Sequence, residues 1–404
     1  MKIVVQKYGG TSVSSPEKRA SVVKQVVEAR KNGYQVAVVV SAMGRKGEPY
    51  ATDTLRSLLL DEFRDVSLRE LDMIMSCGEI ISAGVISATL GKNGITAPVL
   101  TGAQAGFLTD GNYSQAEVTD CRPTKVLDAL SRDEVPIVAG FQGVDEEGEV
   151  NTMGRGGSDT TAVILGAALN AELVEIYTDV SGIMTADPVI LKEAKVIQHI
   201  TYGEVFQLAY EGAKVIHPRA VEVAMRYNVA VVVRNYSDPD SGTLITGESA
   251  LHGGAYSTQG RRTVTGIAHA VNQVQFLIEF AEPDSVMEQE IFQIIGEANV
   301  NIDLINVFPK IKAFIVAEEQ SAKVQSILED LGLNYKMDKE VAKISIVGVG
   351  MNSIPGVMAM VVRALNKQNI EILQSSDSNI TISILVKIED LHRAVSALHD
   401  AFLT

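Results

Sequence analysis

The sequence predicts an α/β protein in which an open, mainly parallel sheet sandwiched by helices is followed by two small ferredoxin-like modules. Two observations carry that expectation. Over residues 1–248, short β-branched runs alternate with stretches of helical spacing, the pattern of parallel strands joined by crossover helices. Beyond residue 262 the chain repeats itself at an offset of 70 residues, which marks two copies of one supersecondary unit.

IVVQ (3–6) and VAVVVSAM (36–43) are apolar runs suited to strands buried on both faces. Between them Ser15 can cap a helix with Pro16 at its first position; Ala20, Val23, Val26 and Val27 recur at helical spacing, and Asn32-Gly33 stops it. PVLTG (98–102), PIVAGFQG (136–143), LVEIYTD (173–179) and VAVVVRN (229–235) read as further strands. Several of these runs end in small or polar residues: Lys7 to Gly10, Ser41 to Gly44, Gly140 to Gly143, Thr178-Asp179 and Arg234-Asn235. In an open α/β sheet the carboxyl ends of parallel strands share one edge, and ligands bind there. The candidate chemistry is therefore expected along that edge.

Residues 249–262, polar and glycine-rich, read as a linker between residues 1–248 and the tail. The tail divides into 263–338 and 339–404. VQFLIEF (274–280) overlays ISIVGVG (344–350), NVNIDLI (299–305) overlays NIEILQS (369–375), and AFIV (313–316) overlays SILV (383–386). Each copy reads β, α, β, β, α, the order of a ferredoxin-like module. The first copy continues into LNYKMD (333–338) as a sixth element, whereas the second reaches Thr404 before one can form. A sheet edge is thus left open, and another segment or another subunit is expected to cover it.

Composition narrows the function. With 35 basic and 50 acidic residues the formal charge is −15, which argues against a nucleic-acid or anionic-membrane partner. Cys77 and Cys121 form no CxxC pair and no Cys/His cluster, so neither a disulfide framework nor a structural metal is expected. MKIVVQKYGG is too weakly apolar for a signal segment, and no apolar run reaches the roughly 18 residues of a membrane span. A cytoplasmic protein is expected.

Three stretches carry candidate chemistry. KYGGTS (7–12) follows the first strand; Gly9 and Gly10 let backbone approach an anion, and Lys7 offers a point charge, although a Gly-Gly turn after a strand is commonplace. GRGGSDTTAVILGAALN (154–170) sets Arg155 among three glycines and lets Ser158 and Asp159 cap a helix; an ordinary capped helix behind a flexible loop is the alternative. YTDVSGIMTADP (177–188) and GAKVIHPRA (212–220) add two aspartates and Lys214. CGEIISAG (77–84) places Glu79 near the start of an apolar helix, where it can simply complement the dipole.

These segments, with SAMG, SCGE, TGAQAGF and AGFQG, occur in the order seen in the aspartokinase family, and the tail resembles that family's paired ACT domains. GRKGEPYATD and ILQSSDSNITISILV are most similar to the shorter Gram-positive isozyme that responds to meso-diaminopimelate. The resemblance implies an amino-acid-kinase catalytic domain over 1–248 and transfer of the γ-phosphoryl group of ATP, carried with Mg2+, to the side-chain carboxylate of L-aspartate. It implies Lys7, Asp159 and Lys214 as catalytic residues, and Ser41, Glu79, Arg155, Gly156, Gly157 and Ser158 around the amino acid. Lys7, Tyr8, Gly9, Gly10, Thr178, Asp179, Met184, Lys214 and Val215 match nucleotide-contact positions. In the second ACT copy Asn352, Ser353, Ile354, Pro355, Gly356, Asn369 and Ile370 keep the effector pattern. The first copy lacks the usual glycine in AEPDSVME, so its site is either lost or remodelled around Asp284 and Ser285.

The effector implied is an amino acid such as meso-diaminopimelate, lysine or threonine, and the assembly implied is a homodimer through the ACT modules. One position departs from the family: Val189 stands where an arginine usually approaches the phosphates, leaving either Lys192 to fill the gap or a weaker nucleotide site. Two alternatives remain, another amino-acid-kinase-family enzyme and a catalytically inactive amino-acid sensor.

Overall fold

The structure, a computed structural model, describes residues 2–213, 215–238, 242–247, 264–351 and 354–403. The proposed linker at 249–262, together with Lys214, Asn352 and Ser353, lies outside the described residues. The chain forms two compact units. The first comprises Met1–Ile183, Val196–Phe206 and Lys214–Ser257; the second comprises Met184–Lys195, Gln207–Ala213 and Thr258–Thr404. The division is not a single cut, because two short segments within 1–248 pack with the second unit.

The first unit is built on strands β1 (Ile3–Tyr8), β2 (Gln35–Val40), β3 (Val99–Leu100), β4 (Phe107–Thr109), β5 (Val118–Cys121), β6 (Ile137–Ala139), β7 (Gln142–Val144), β8 (Val150–Thr152), β9 (Leu173–Thr178), β10 (His199–Thr201), β11 (Val231–Asn235) and β12 (Thr243–Thr246). Eight of them form the main sheet, in the order β10-β12-β11-β9-β1-β2-β6-β3, parallel except where β12 runs against β11. Four short strands form a second sheet, β5-β4-β7-β8. PIVAGFQG is therefore two strands. Phe141, at φ 71, turns the chain between β6 in one sheet and β7 in the other, a break that a continuous apolar run does not reveal.

Helix α1 (Pro16–Lys31) starts as expected, with Ser15 accepting from the Lys18 N–H and Pro16 at the first position. It stops at Asn32, with Gly33 at φ 81. After α2 (Thr52–Glu62) comes α3 (Leu68–Gly91), long and apolar enough by length and composition to cross a membrane. It carries Asp72 and Glu79 at 0% and 2% exposure, and its buried face packs in the core with Val4, Val22, Val38 and Ile137. Next come α4 (Thr124–Ser131), α5 (Gly157–Ala168), α6 (Tyr202–Tyr210) and α7 (Pro218–Tyr227).

The second unit contains one six-stranded antiparallel sheet. Its strands are β13 (Gly266–Glu279), β14 (Asp303–Val307), β15 (Ile311–Ala317), β16 (Tyr335–Val347), β17 (Gln374–Asp377) and β18 (Thr381–Lys387), in the order β14-β15-β13-β16-β18-β17. The two central strands are long and shared. Residues 275–278 of β13 pair with 335–338 of β16 to close the first copy, whereas 266–270 pair with 343–347 to close the second. The missing sixth strand of the second copy is thus supplied from within the chain, by residues at the start of 263–338, ahead of the run at 274–280 that the repeat matches. Helices Ser285–Glu297 and Glu318–Asp330 cover one half, around Phe276, Ile291, Phe314 and Leu328. Helices Val357–Asn366 and Leu391–Phe402 cover the other, around Ile344, Val361, Ile384 and Leu398; Ala186 and Leu191 join that core.

Candidate active site

The strand registers align Tyr8 with Val40 and with Tyr177, Val40 with Ala139, and Thr178 with Asn235. Lys7 to Gly10, Ser41, Gly140 and Thr178-Asp179 consequently lie along one edge of the main sheet, as the strand endings predict. The backbone is tightly knit there: Gly9 N–H donates to the Tyr177 carbonyl at 3.3 Å, Ser41 N–H to Tyr8 at 3.1 Å, and Gly44 N–H to Gly10 at 3.1 Å. A Cβ on Gly10 would sit 2.2 Å from the Ala42 carbonyl oxygen, so only glycine fits beneath that loop. Tyr8 offers the edge its backbone alone, because its ring is fully buried and stacked on Tyr177 at 4.8 Å.

Lys7 reaches Asp159, with Nζ 2.5 Å from Oδ1 and both side chains largely buried. Asp159 and Ser158 do not cap α5. The capping position is Gly156, in the left-handed region at φ 73, and the two polar residues occupy the first turn. The glycine is forced by space as well as by conformation, since a Cβ there would meet the His217 ring at 2.2 Å. Gly157 packs closely too, 2.8 Å from the Phe141 ring by the same measure. Arg155, between Gly154 and Gly156, is exposed. A Cβ on Gly140 would lie 3.0 Å from that of Ser158, which places Ser158 beside the end of β6.

Glu79 lies well inside α3, not at its start, so the dipole reading does not apply. Its Oε1 accepts from the Ala42 N–H at 3.0 Å, and its buried Oε2 has no partner. Burial pushes its pKa up to about 8, against the lowering effects of the Ala42 N–H and of Lys7. An orphaned carboxylate oxygen beside a glycine-lined edge fits a cationic ligand group.

On the other side of the edge, Thr178 hydroxyl donates to Asp179 at 3.2 Å, and Asp179 pairs with Arg45 at 2.9 Å. Val215 is partly exposed in the first unit, whereas Met184 belongs to the second, as do Val189, 83% exposed, and Lys192. Among the effector positions, Ile354, Pro355 and Gly356 are exposed before the helix Val357–Asn366, and Asn369 is exposed at φ 53. Ile370 is buried in the module core. In the first copy Asp284 caps its helix, accepting from Val286 and Met287.

Three residues at this site escaped the sequence reading. His217 caps α7, packs on Gly156 and has its pKa lowered, chiefly by burial. Arg219 donates to the carbonyls of Met153 and Ala116 at 3.0 and 2.9 Å. Asp72 is wholly buried and fully hydrogen-bonded. The signals were present, His217 and Arg219 within HPR after Lys214 and Asp72 seven residues before Glu79, but only contacts give them meaning.

The amino acid kinase family model matches residues 2–235, and the ACT domain model matches residues 336–400. Aspartokinase 1 of Bacillus subtilis is 44% identical over 402 residues, covering 100% of this chain and 99% of that one. The chain belongs to the aspartokinase family. Aspartokinase 2 of the same organism is 38% identical, with 100% and 98% coverage. Among solved structures, Clostridium acetobutylicum aspartate kinase superposes with a TM-score of 0.81 at 23% identity, covering 99% of this chain and 100% of that one, a likeness of fold. Escherichia coli aspartokinase III in complex with lysine and aspartate gives 0.77 at 25%, with full coverage of both chains. As an aspartokinase the chain is a kinase with an attached ACT region, and the non-kinase sensor alternative loses its ground.

Proposed function

We propose that this aspartate kinase phosphorylates the side-chain carboxylate of L-aspartate from ATP at the sheet edge formed by Lys7 to Gly10, Ser41, Glu79, Arg155 to Asp159 and Thr178-Asp179. The observation that carries the assignment is Glu79, a buried carboxylate with one unpartnered oxygen beside the Lys7–Asp159 pair. Its free oxygen accepts the substrate ammonium. Arg155 clamps the α-carboxylate with its planar fork, and Ser41 and Ser158 hold the amino acid between them.

The acceptor carboxylate is already ionised at neutral pH, so no strong base is needed. Catalysis rests on positioning and on positive charge at the migrating phosphoryl group. Lys7 supplies that charge, and Asp159 aims its ammonium. Gly9 and Gly10 allow backbone to approach the phosphates, and Lys214 adds a second cation. Mg2+ arrives on the nucleotide. Among the described residues no group of three His, Cys, Asp or Glu side chains is arranged to hold a metal ion.

The ACT region binds an amino-acid effector, meso-diaminopimelate in our reading, with lysine and threonine as the alternatives, and pairs two copies of the chain. We place the enzyme in the cytoplasm, where ATP is at hand and Cys77 and Cys121 stay as free thiols. The test is ATP-dependent aspartyl hydroxamate formation by the wild-type chain and Glu79→Gln, with each effector added separately. Loss of aspartate saturation in the variant, with nucleotide saturation kept, is expected. An unchanged aspartate KM would overturn the assignment of Glu79, and suppression by lysine alone would replace diaminopimelate.

A further inference from the structure

β8 ends at Thr152, and the glycine loop with Arg155 begins two residues later. Besides Arg219, which donates to the Met153 and Ala116 carbonyls, the loop is held by Asp72 of α3, 0% exposed and loaded on both oxygens. Oδ2 accepts from the N–H groups of Ser114 and Thr152, each at 2.7 Å. Oδ1 accepts from their hydroxyls at 2.8 and 2.9 Å. Thr152 leads into the loop, and Ser114 lies against it. Thr152 is continuous with Met153 and Gly154, and the Ser114 carbonyl lies 2.9 Å from where a Cβ on Gly154 would stand. Ser114 itself has φ 65, a conformation serine rarely adopts without such support.

Asp72 and Glu79 are seven residues apart on the buried face of one helix, about two turns. We infer that Asp72 is a positioning residue for amino-acid recognition: it anchors the Arg155 loop to the helix that carries Glu79. α3 thereby sets the separation between the group that meets the substrate carboxylate and the group that meets its ammonium. The inference rests on the assignment of Arg155 and Glu79 to aspartate. A residue that merely supports the fold would lower stability and affect both substrates alike. A positioning residue acts on one substrate and only through Arg155.

A double-mutant cycle separates these cases. In D72N one acceptor oxygen becomes a donor while volume is kept, and the Ser114 and Thr152 hydroxyls can rotate to accept from it, so folding is retained. D72N is expected to raise the aspartate KM about fivefold, with the ATP KM changed by less than about twofold. In an R155A background D72N should add nothing further. If R155A alone leaves the aspartate KM unchanged, the Arg155 assignment falls and this inference with it. If R155A raises that KM and D72N still adds its full increment, the positioning role alone is overturned. A D72N chain whose two KM values rise together with a drop in Tm overturns it as well.

Discussion

Lys7 Nζ and Asp159 Oδ1 lie 2.5 Å apart, joining the end of a central strand to the first turn of a helix. The pair has two consequences. It fixes the direction of a cation on a long flexible side chain, and it holds that cation at the sheet edge, where the proposed phosphoryl transfer takes place.

Lys7→Ala is therefore expected to lower kcat by about 10²–10³-fold, the scale of losing one preorganised charge at a transition state. Its aspartate KM should move far less. Initial-rate kinetics check this, and a kcat within tenfold of the wild type would remove Lys7 from the chemistry.

On the proposed assignment, in which Glu79 meets the substrate ammonium, aspartate binding depends on pH. The Glu79 pKa is raised to about 8 by burial, so at neutral pH the ligand-free carboxyl is largely protonated. An ammonium ligand needs the ionised form, and binding then releases a proton. The aspartate KM should fall as pH rises from about 6 to 8, at most about tenfold per unit, and level off above 8. The stability of the ligand-free chain runs opposite to the affinity: the folded state holds this proton more tightly than the unfolded state, so stability falls as pH rises from 4.5 to about 8. Glu79→Gln should flatten both profiles. A KM curve of wild-type shape in that variant would contradict the assignment.

Gly10→Ala should damage the site by space alone, because its methyl group meets a backbone oxygen, which cannot rotate away. A loss of about 1–3 kcal/mol is expected, read from denaturant midpoints, together with a fall in activity. A variant of unchanged stability would show that the loop at Ala42 can yield.

Lys343, almost fully buried, is held between Glu211 at 2.6 Å and Asp303, and Ser345 hydroxyl also donates to Glu211 at 2.6 Å. Lys343→Met would strand the Glu211 carboxylate. The second unit should lose about 3–5 kcal/mol, seen as an earlier transition in thermal unfolding. An unmoved transition would mean that Glu211 takes up a proton or water without penalty.

Much of this was legible beforehand, for physical reasons. Buried parallel strands must be apolar on both faces, so β1, β2, β9 and β11 announced themselves, and their polar last residues marked the edge. The 70-residue repeat was visible because each copy needs the same core positions, such as Phe276 and Ile346 in the strands that open them. The rest depended on long-range pairing. Nothing local tells that Phe141 turns the chain into another sheet, that Glu79 is mid-helix, or that Gly156 takes the cap from Ser158. Residues 266–270 were read as the start of the first copy, because a strand reveals its apolar pattern but not its partner.

That exchange of strands constrains how such a regulatory tail can change over generations. The boundary that the repeat suggests, between 338 and 339, falls inside β16, and the second copy takes its final strand, residues 266–270, from the first. A deletion or recombination that removed either copy would leave a strand of the survivor without one of its partners. Within the whole chain the tail should accordingly unfold as one cooperative unit, whereas 339–404 alone should aggregate or dimerise. A monomeric, cooperatively melting 339–404 would show the copies to be separable. The two copies are inherited together or not at all, free to diverge in their exposed loops and bound to each other through the strands between them.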